Sequence, residues 1–178
     1  MICATTTACA TPTPAPTNAV VNGNFETGSL SSWTLWNANG ALGSESVLGA
    51  SVTTGTAYSG RYALRLSYNN AVGTYLRQWK QDGIKLEPGA TYAASYMFYQ
   101  NFGQSAMKTK LQFAGGGGVA FTKTFDHFNT AAGVWTKVTE QFVAAASFGT
   151  VYFQLDATQG GGPNTIHVDN ISIQKVVV

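Results

Sequence analysis

Charge is what this chain has least of. Only 10% of its 178 residues are charged, against about 25% in an ordinary soluble domain. Ten Lys and Arg set against eight Asp and Glu leave a net charge of +2. So thin a field excludes a phosphate-binding surface, and with it a nucleic-acid partner. No run of 18 apolar residues occurs, which excludes a membrane-spanning helix. Cysteine is confined to Cys3 and Cys9. Neither has Cys or His neighbours at zinc spacing, and the remaining residues must fold without a disulfide. Those two cysteines close a small loop or pair elsewhere. Met1-Ile2-Cys3 lacks the basic start and apolar stretch of a leader, so a leader or upstream domain is expected to have been removed. Catalytic words are missing too: there is no Gly-x-Ser-x-Gly, no phosphate loop and no HExxH. The eight acids are scattered, and no two stand out as the carboxylate pair of a glycosidase, which are roughly 5–9.5 Å apart.

The chain does have a Thr/Pro-rich opening. Residues 4–17 read ATTTACATPTPAPT, a stretch that buries nothing and favours extended conformations. Residues 1–17 read as a linker or tail, with Thr5, Thr6, Thr7, Thr11, Thr13 and Thr17 as candidate O-glycosylation sites, and 18–178 as one domain. Within that domain the pattern has period two. Strands are expected at 33–37, 46–54, 61–68, 74–81, 91–99, 108–114, 119–126, 134–143, 148–156 and 165–176, separated by Gly, Pro, Asn and Asp. Ten short strands with almost no helix predict an all-β sandwich.

Alternation assigns faces. Tyr92, Ala94, Tyr96 and Phe98 share one side of their strand, and Leu64 and Leu66 point inward. Val151, Phe153 and Leu155 face in while Tyr152, Gln154 and Asp156 face out. Trp135, Val138 and Phe142 read as core, and His127 and His167 as surface or core-edge residues. In 74–81, Leu76 is expected on the core side, which puts Tyr75, Arg77, Trp79 and Gln81 on the open face. Tyr75 and Trp79 would then lie about 13 Å apart, a separation on the scale of a sugar chain. Pyranose rings present flat C–H faces to aromatic rings, and their hydroxyls need the donors and acceptors that Gln, Asn, Arg and Tyr supply. Tyr99 and Trp36 complete the candidate carbohydrate-binding set of Trp36, Tyr75, Arg77, Trp79, Gln81 and Tyr99. Arg77, Lys80 and Lys110 add positive charge that makes uronate-bearing chains a ligand to test.

Several words occur in a recognisable order: VNGNFETGSLSSWTLW (21–36), YSGRYALRLS (58–67), QDGIKLEPGATYAASYMFY (81–99), VWTKVTEQFVA (134–144) and TIHVDNISI (165–173). Together they resemble the carbohydrate-binding modules of families 4, 9 and 22, the cellulose- and xylan-binding type, over residues 20–176. Either Gln78 or Gln81 stands where the family has a Gln before its Pro-Gly turn, and the crowding of Arg77, Trp79 and Lys80 is a departure. The resemblance implies a β-sandwich jelly roll of two antiparallel sheets, a glycan held across one sheet, a buried Trp33 and a structural calcium. It also implies a secreted, monomeric module tethered to an extracellular enzyme or other protein. Calcium takes six to eight hard oxygens; Glu26 and Asp169, near the two ends of the domain, with Asn24, Ser59 and Gly60 are the candidate ligands. The expected function is non-catalytic binding of a β-glucan or xylan-like polysaccharide or oligosaccharide. The alternatives are an adhesive module that binds protein and a jelly-roll polysaccharide lyase using Tyr, His, Arg and Lys.

Overall fold

The computed structural model describes residues 17–36, 48–68, 75–101, 107–115, 118–127, 129–157 and 164–177. The Thr/Pro stretch 1–16 with Cys3 and Cys9 lies outside these residues, as do the side chains of Tyr75, Leu76 and Arg77. The described residues form ten strands: β1 (Thr34–Trp36), β2 (Leu48–Thr53), β3 (Ala63–Tyr68), β4 (Tyr75–Lys85), β5 (Thr91–Gln100), β6 (Met107–Gly115), β7 (Gly118–Asp126), β8 (Thr136–Val143), β9 (Phe148–Ala157) and β10 (Asn164–Lys175). Each of the ten expected segments forms its strand. β4 runs four residues beyond its expected end, because its register shifts between Gln81 and Ile84. Gly83 sits there at φ +78°, and a bulge of this kind interrupts the period of two on which the strand reading relied.

The strands make two five-stranded antiparallel sheets. The front sheet has the order β1-β4-β9-β6-β7 and the back sheet β2-β3-β10-β5-β8. Their inner faces meet in one core, with Trp79, Leu111, Phe113, Val151, Phe153 and Leu155 on the front side. Leu64, Leu66, Tyr96, Phe98, Ile166 and Val168 oppose them from the back. Tyr96 meets Phe153 edge to face across the gap, with ring centroids 5.3 Å apart. Phe121 of β7 stacks on Phe142 of β8 at 4.9 Å and closes one side. Trp33 is buried and stacks on Phe25, as expected.

Both histidines are buried, contrary to the surface or core-edge placement expected of them. His127 lies flat on Phe98, centroids 3.5 Å apart. Its Nε2 is 2.8 Å from Thr109 Oγ1, which is in turn 2.6 Å from the Tyr96 hydroxyl. That short polar chain satisfies one ring nitrogen; Nδ1 has no partner among the described residues. Burial holds the imidazole down at about 3 and pushes the Tyr96 hydroxyl up.

The chain enters beside the strand by which it leaves. Asn18 pairs with Gln174, Ala19 N donates to Ile173 O at 2.9 Å, and the Asn18 side chain bonds Ile171 O and Ile173 N. The segment 18–23 therefore flanks the second half of β10, where β3 no longer reaches.

Candidate functional site: the outer face of the front sheet

Register fixes which side chains share the outer face of the front sheet. One row runs Trp36, Gln78, Gln154, Lys110, Thr124 across all five strands. The next runs Thr34, Lys80, Tyr152, Gln112, Thr122. A third includes Asp156, Lys108 and Asp126. With strands about 4.8 Å apart, the rows extend roughly 19 Å. Trp36 is 43% exposed at one end, with Lys80 Nζ 4.8 Å from its ring centroid.

The middle of the face is polar and deep. Gln78 is 7% and Gln154 8% exposed, yet no hydrogen bond joins either side chain to another described residue. Each amide carries two donors and an acceptor with two lone pairs, so both are equipped to meet the hydroxyls of a ligand. The charges are balanced in pairs: Lys80 bridges Asp82 at 2.7 Å and Lys108 bridges Asp126 at 3.4 Å. Lys110 forms no ion pair with a described residue. Asp156 Oδ1 is buried without a partner; burial raises its carboxyl, and Lys108 and Lys110 pull the other way. Trp36, Tyr152, the three glutamines, Lys110 and Asp156 thus offer an aromatic surface beside donors and acceptors that no described residue occupies.

The expected site is only partly this one. Trp36 belongs to it. Trp79 does not: it is 5% exposed and packs in the core, opposite Phe153 in register. A single Leu76 had fixed the parity of β4, and the much larger apolar surface of the indole overrides it. Gln81 also points inward. Its Oε1 accepts from Val21 N at 2.7 Å, and its Nε2 donates to Val21 O and Ser32 O at 2.9 and 3.0 Å, so it ties the entering chain to β4. Register sets Tyr75 opposite Ala157 and Arg77 opposite Leu155. Tyr99 is on the other sheet, between Trp135 at 5.4 Å and His167 at 5.8 Å. Trp135 is half-buried in that outer aromatic group and not in the core as expected. The residues missed, Gln78, Gln112, Tyr152, Gln154 and Asp156, include three that alternation in β9 had already turned outward.

Of the expected metal ligands, Glu26 and Asp169 meet on the loop that carries Ser59 and Gly60. Both Glu26 oxygens accept from Arg61 N at 3.0 and 3.2 Å, and Oε1 also from Tyr62 N at 2.9 Å. Asp169 Oδ2 accepts from Tyr58 N and Ser59 N at 3.0 and 3.1 Å, and Oδ1 from Asn170 N at 2.7 Å. Two carboxylates therefore grip one loop, 58–62. Gly60 sits between them at φ +67°, and a Cβ there would lie 2.5 Å from the Glu26 carboxyl, so only glycine fits. Asp169 is fully buried; burial raises its carboxyl, and the charge of Glu26 adds to the rise. No described residue forms an ion pair with either acid, and no third His, Cys, Asp or Glu joins them among the described residues. A buried carboxylate beside a second one suits a hard cation.

The family model described as "Carbohydrate binding domain", of the family 4 and 9 type, matches residues 17–162. The chain belongs to this family of carbohydrate-binding modules: it is an all-β jelly roll that binds carbohydrate and is not an enzyme. No curated protein sequence matches it. Among solved structures it is similar to TmCBM61 in complex with β-1,4-galactotriose, at 17% identity and a TM-score of 0.62, over 90% of this chain and 99% of that one. It is also similar to a structure described as Family 16 Carbohydrate Binding Module-2, at 18% identity and a TM-score of 0.58, over 88% of this chain and 99% of that one. A third similarity is to the enzymatically active domain of tailspike protein 4 from Bacteriophage CBA120, at 15% identity and a TM-score of 0.63. It covers 89% of this chain but only 21% of the tailspike chain. At these identities the likeness is one of fold.

Proposed function

We propose that the outer face of the front sheet binds a β-linked polysaccharide or oligosaccharide, and that the module holds an attached extracellular protein on that glycan through residues 1–17. The observation that carries this reading is the pair Gln78 and Gln154: two nearly buried amides with no bonded partner among the described residues, in one row with an exposed tryptophan. Glucan and xylan are the first ligands to test, joined by β-1,4-galactan because a similar fold was solved with β-1,4-galactotriose. On an open, wet face each contact replaces water, so the dissociation constant should lie on the order of micromolar to millimolar. The test is a glycan array followed by titration of the best ligand into wild type, Gln154→Ala and Trp36→Ala. Each variant should bind about tenfold more weakly. Equal affinities would place the site elsewhere, and silence on every glycan would favour a protein partner.

The same reading includes a structural calcium held by Glu26 and Asp169 with Asn24, Ser59 and Gly60. The ion would supply positive charge to the buried Asp169 carboxylate and the exposed Glu26 beside it, and clamp the entering chain to β10. Asp169 is raised, so protonation relieves it as pH falls, and calcium should relieve it at neutral pH. Millimolar calcium should raise the melting temperature at pH 7, and less so at pH 4, where the acids take protons instead. A melting temperature indifferent to calcium and to EDTA at pH 7 would rule the ion out.

A further inference from the structure

A second opening lies on the opposite side of the sandwich, on the outer face of the back sheet. It is a cavity of about 580 Å³, within the range of about 300–1,000 Å³ typical of small-molecule sites. Its floor is low because the side chains there are short: Ser172 stands opposite Ser95, and their hydroxyls share one hydrogen bond of 2.9 Å. That leaves one O–H and several lone pairs facing outward. The turn bearing Asn24 forms one wall, and Lys137 and Gln174 lie at the margins. Neither of these two side chains bonds a described residue, and no acid lines the cavity among the described residues.

At one end stands Tyr58, 50% exposed. Its ring is held edge-on by Trp135 at 5.7 Å, and Trp135 is held by Tyr99 at 5.4 Å. Its backbone N–H is fixed by Asp169 at 3.0 Å. An aromatic face fixed in position, beside amides and hydroxyls that both donate and accept, suits a hydroxyl-rich ring with an apolar side. We infer that this cavity is a second carbohydrate site, separate from the front face, which takes one or two pyranose residues against Tyr58. Lys137 can pair with a carboxylate substituent, if the sugar carries one.

The test is a titration of the ¹⁵N-labelled full chain with cellobiose, xylobiose, β-1,4-galactobiose and glucuronic acid, following amide shifts. At least one probe should move Ser95, Ser172 and Gln174 saturably. Tyr58→Ala should weaken that response about tenfold, and Trp36→Ala should leave it unchanged. If Tyr58→Ala melts below wild type, the double variant Lys137→Ala/Gln174→Ala decides instead. The inference is overturned if no probe moves these amides, or if the response persists undiminished in the deciding variant. Shifts confined to Gln78, Lys110 and Gln154 overturn it while supporting the front face; shifts confined to Ser95 and Ser172 do the reverse.

Discussion

Gln81 and Gln154 are the same residue type, are buried to almost the same degree, and lie on neighbouring strands of one sheet. Gln81 makes three hydrogen bonds to the backbone of the entering chain; Gln154 makes none to any described residue. The contrast extends to their surroundings. Around the joint of the chain ends, Asn18, Asn22, Glu26 and Asp169 are all committed to backbone groups. On the front face the nearly buried Gln78 and Gln154 side chains bond no described residue, and Asp156 Oδ1 is buried with no partner among the described residues. Burial alone therefore does not separate a structural polar residue from a binding one. What separates them is whether the hydrogen-bonding capacity is already used.

Acid should test that distinction most strongly, because His127 breaks it: an uncommitted Nδ1 that faces the interior and not a ligand. The folded imidazole is held at about 3 by burial, against an ordinary 6.5, with Asp126 opposing. The unfolded chain therefore takes up a proton below pH 6.5 that the fold refuses, and stability falls as pH drops from 6.5 toward 3. His167, lowered to about 4 by burial and by Arg65, acts in the same direction. At about 1.4 kcal/mol per unit the full loss is on the order of 4 kcal/mol or more. Asp156 and Asp169 gain from protonation lower in the range, so the slope is best read from urea midpoints between pH 6.5 and 5. A flat midpoint there would mean that His127 is not sealed in. Trp79→Ala comes next, at about 3–5 kcal/mol of stability. The surviving folded protein should keep its affinity for the best glycan, and a tenfold loss there would return Trp79 to the site. Gln81→Ala should cost about 2–3 kcal/mol by stranding the Val21 and Ser32 groups. Gln154→Ala should move the urea midpoint least, by under about 0.5 kcal/mol, although it weakens binding. If the two glutamine variants proved equally destabilising, the comparison would fail.

The sandwich was legible because β-strand burial writes itself with period two: in β9, Val151, Phe153 and Leu155 face in and Tyr152, Gln154 and Asp156 face out, as alternation requires. β4 was misread because YLRQWKQ holds one aliphatic residue and one indole at opposite parity, and only the pairing of Trp79 with Phe153 decides between them. Gln81 and Gln154 could not be told apart in the sequence, since their hydrogen-bond partners lie in other segments. Tyr58 and Trp135 were obscured for the same reason, as they meet from loops 77 residues apart in sequence. The convergence of Glu26 and Asp169 on one loop came through the resemblance and not through any local pattern.

The antiparallel contact between Asn18 and Gln174 has a mechanical meaning. Asn18 and Gln174 lie side by side, so tension applied across them would load the bonds of segment 18–23 one after another, as in opening a zip. It would not shear the ten strands together. Asn18, whose side chain bonds both Ile171 O and Ile173 N, is the first catch. A pull would peel the entering segment from β10 toward Gly23, whose carbonyl holds Ile171 N at 2.8 Å, and on the way would load the Val21 bonds to Gln81 on β4.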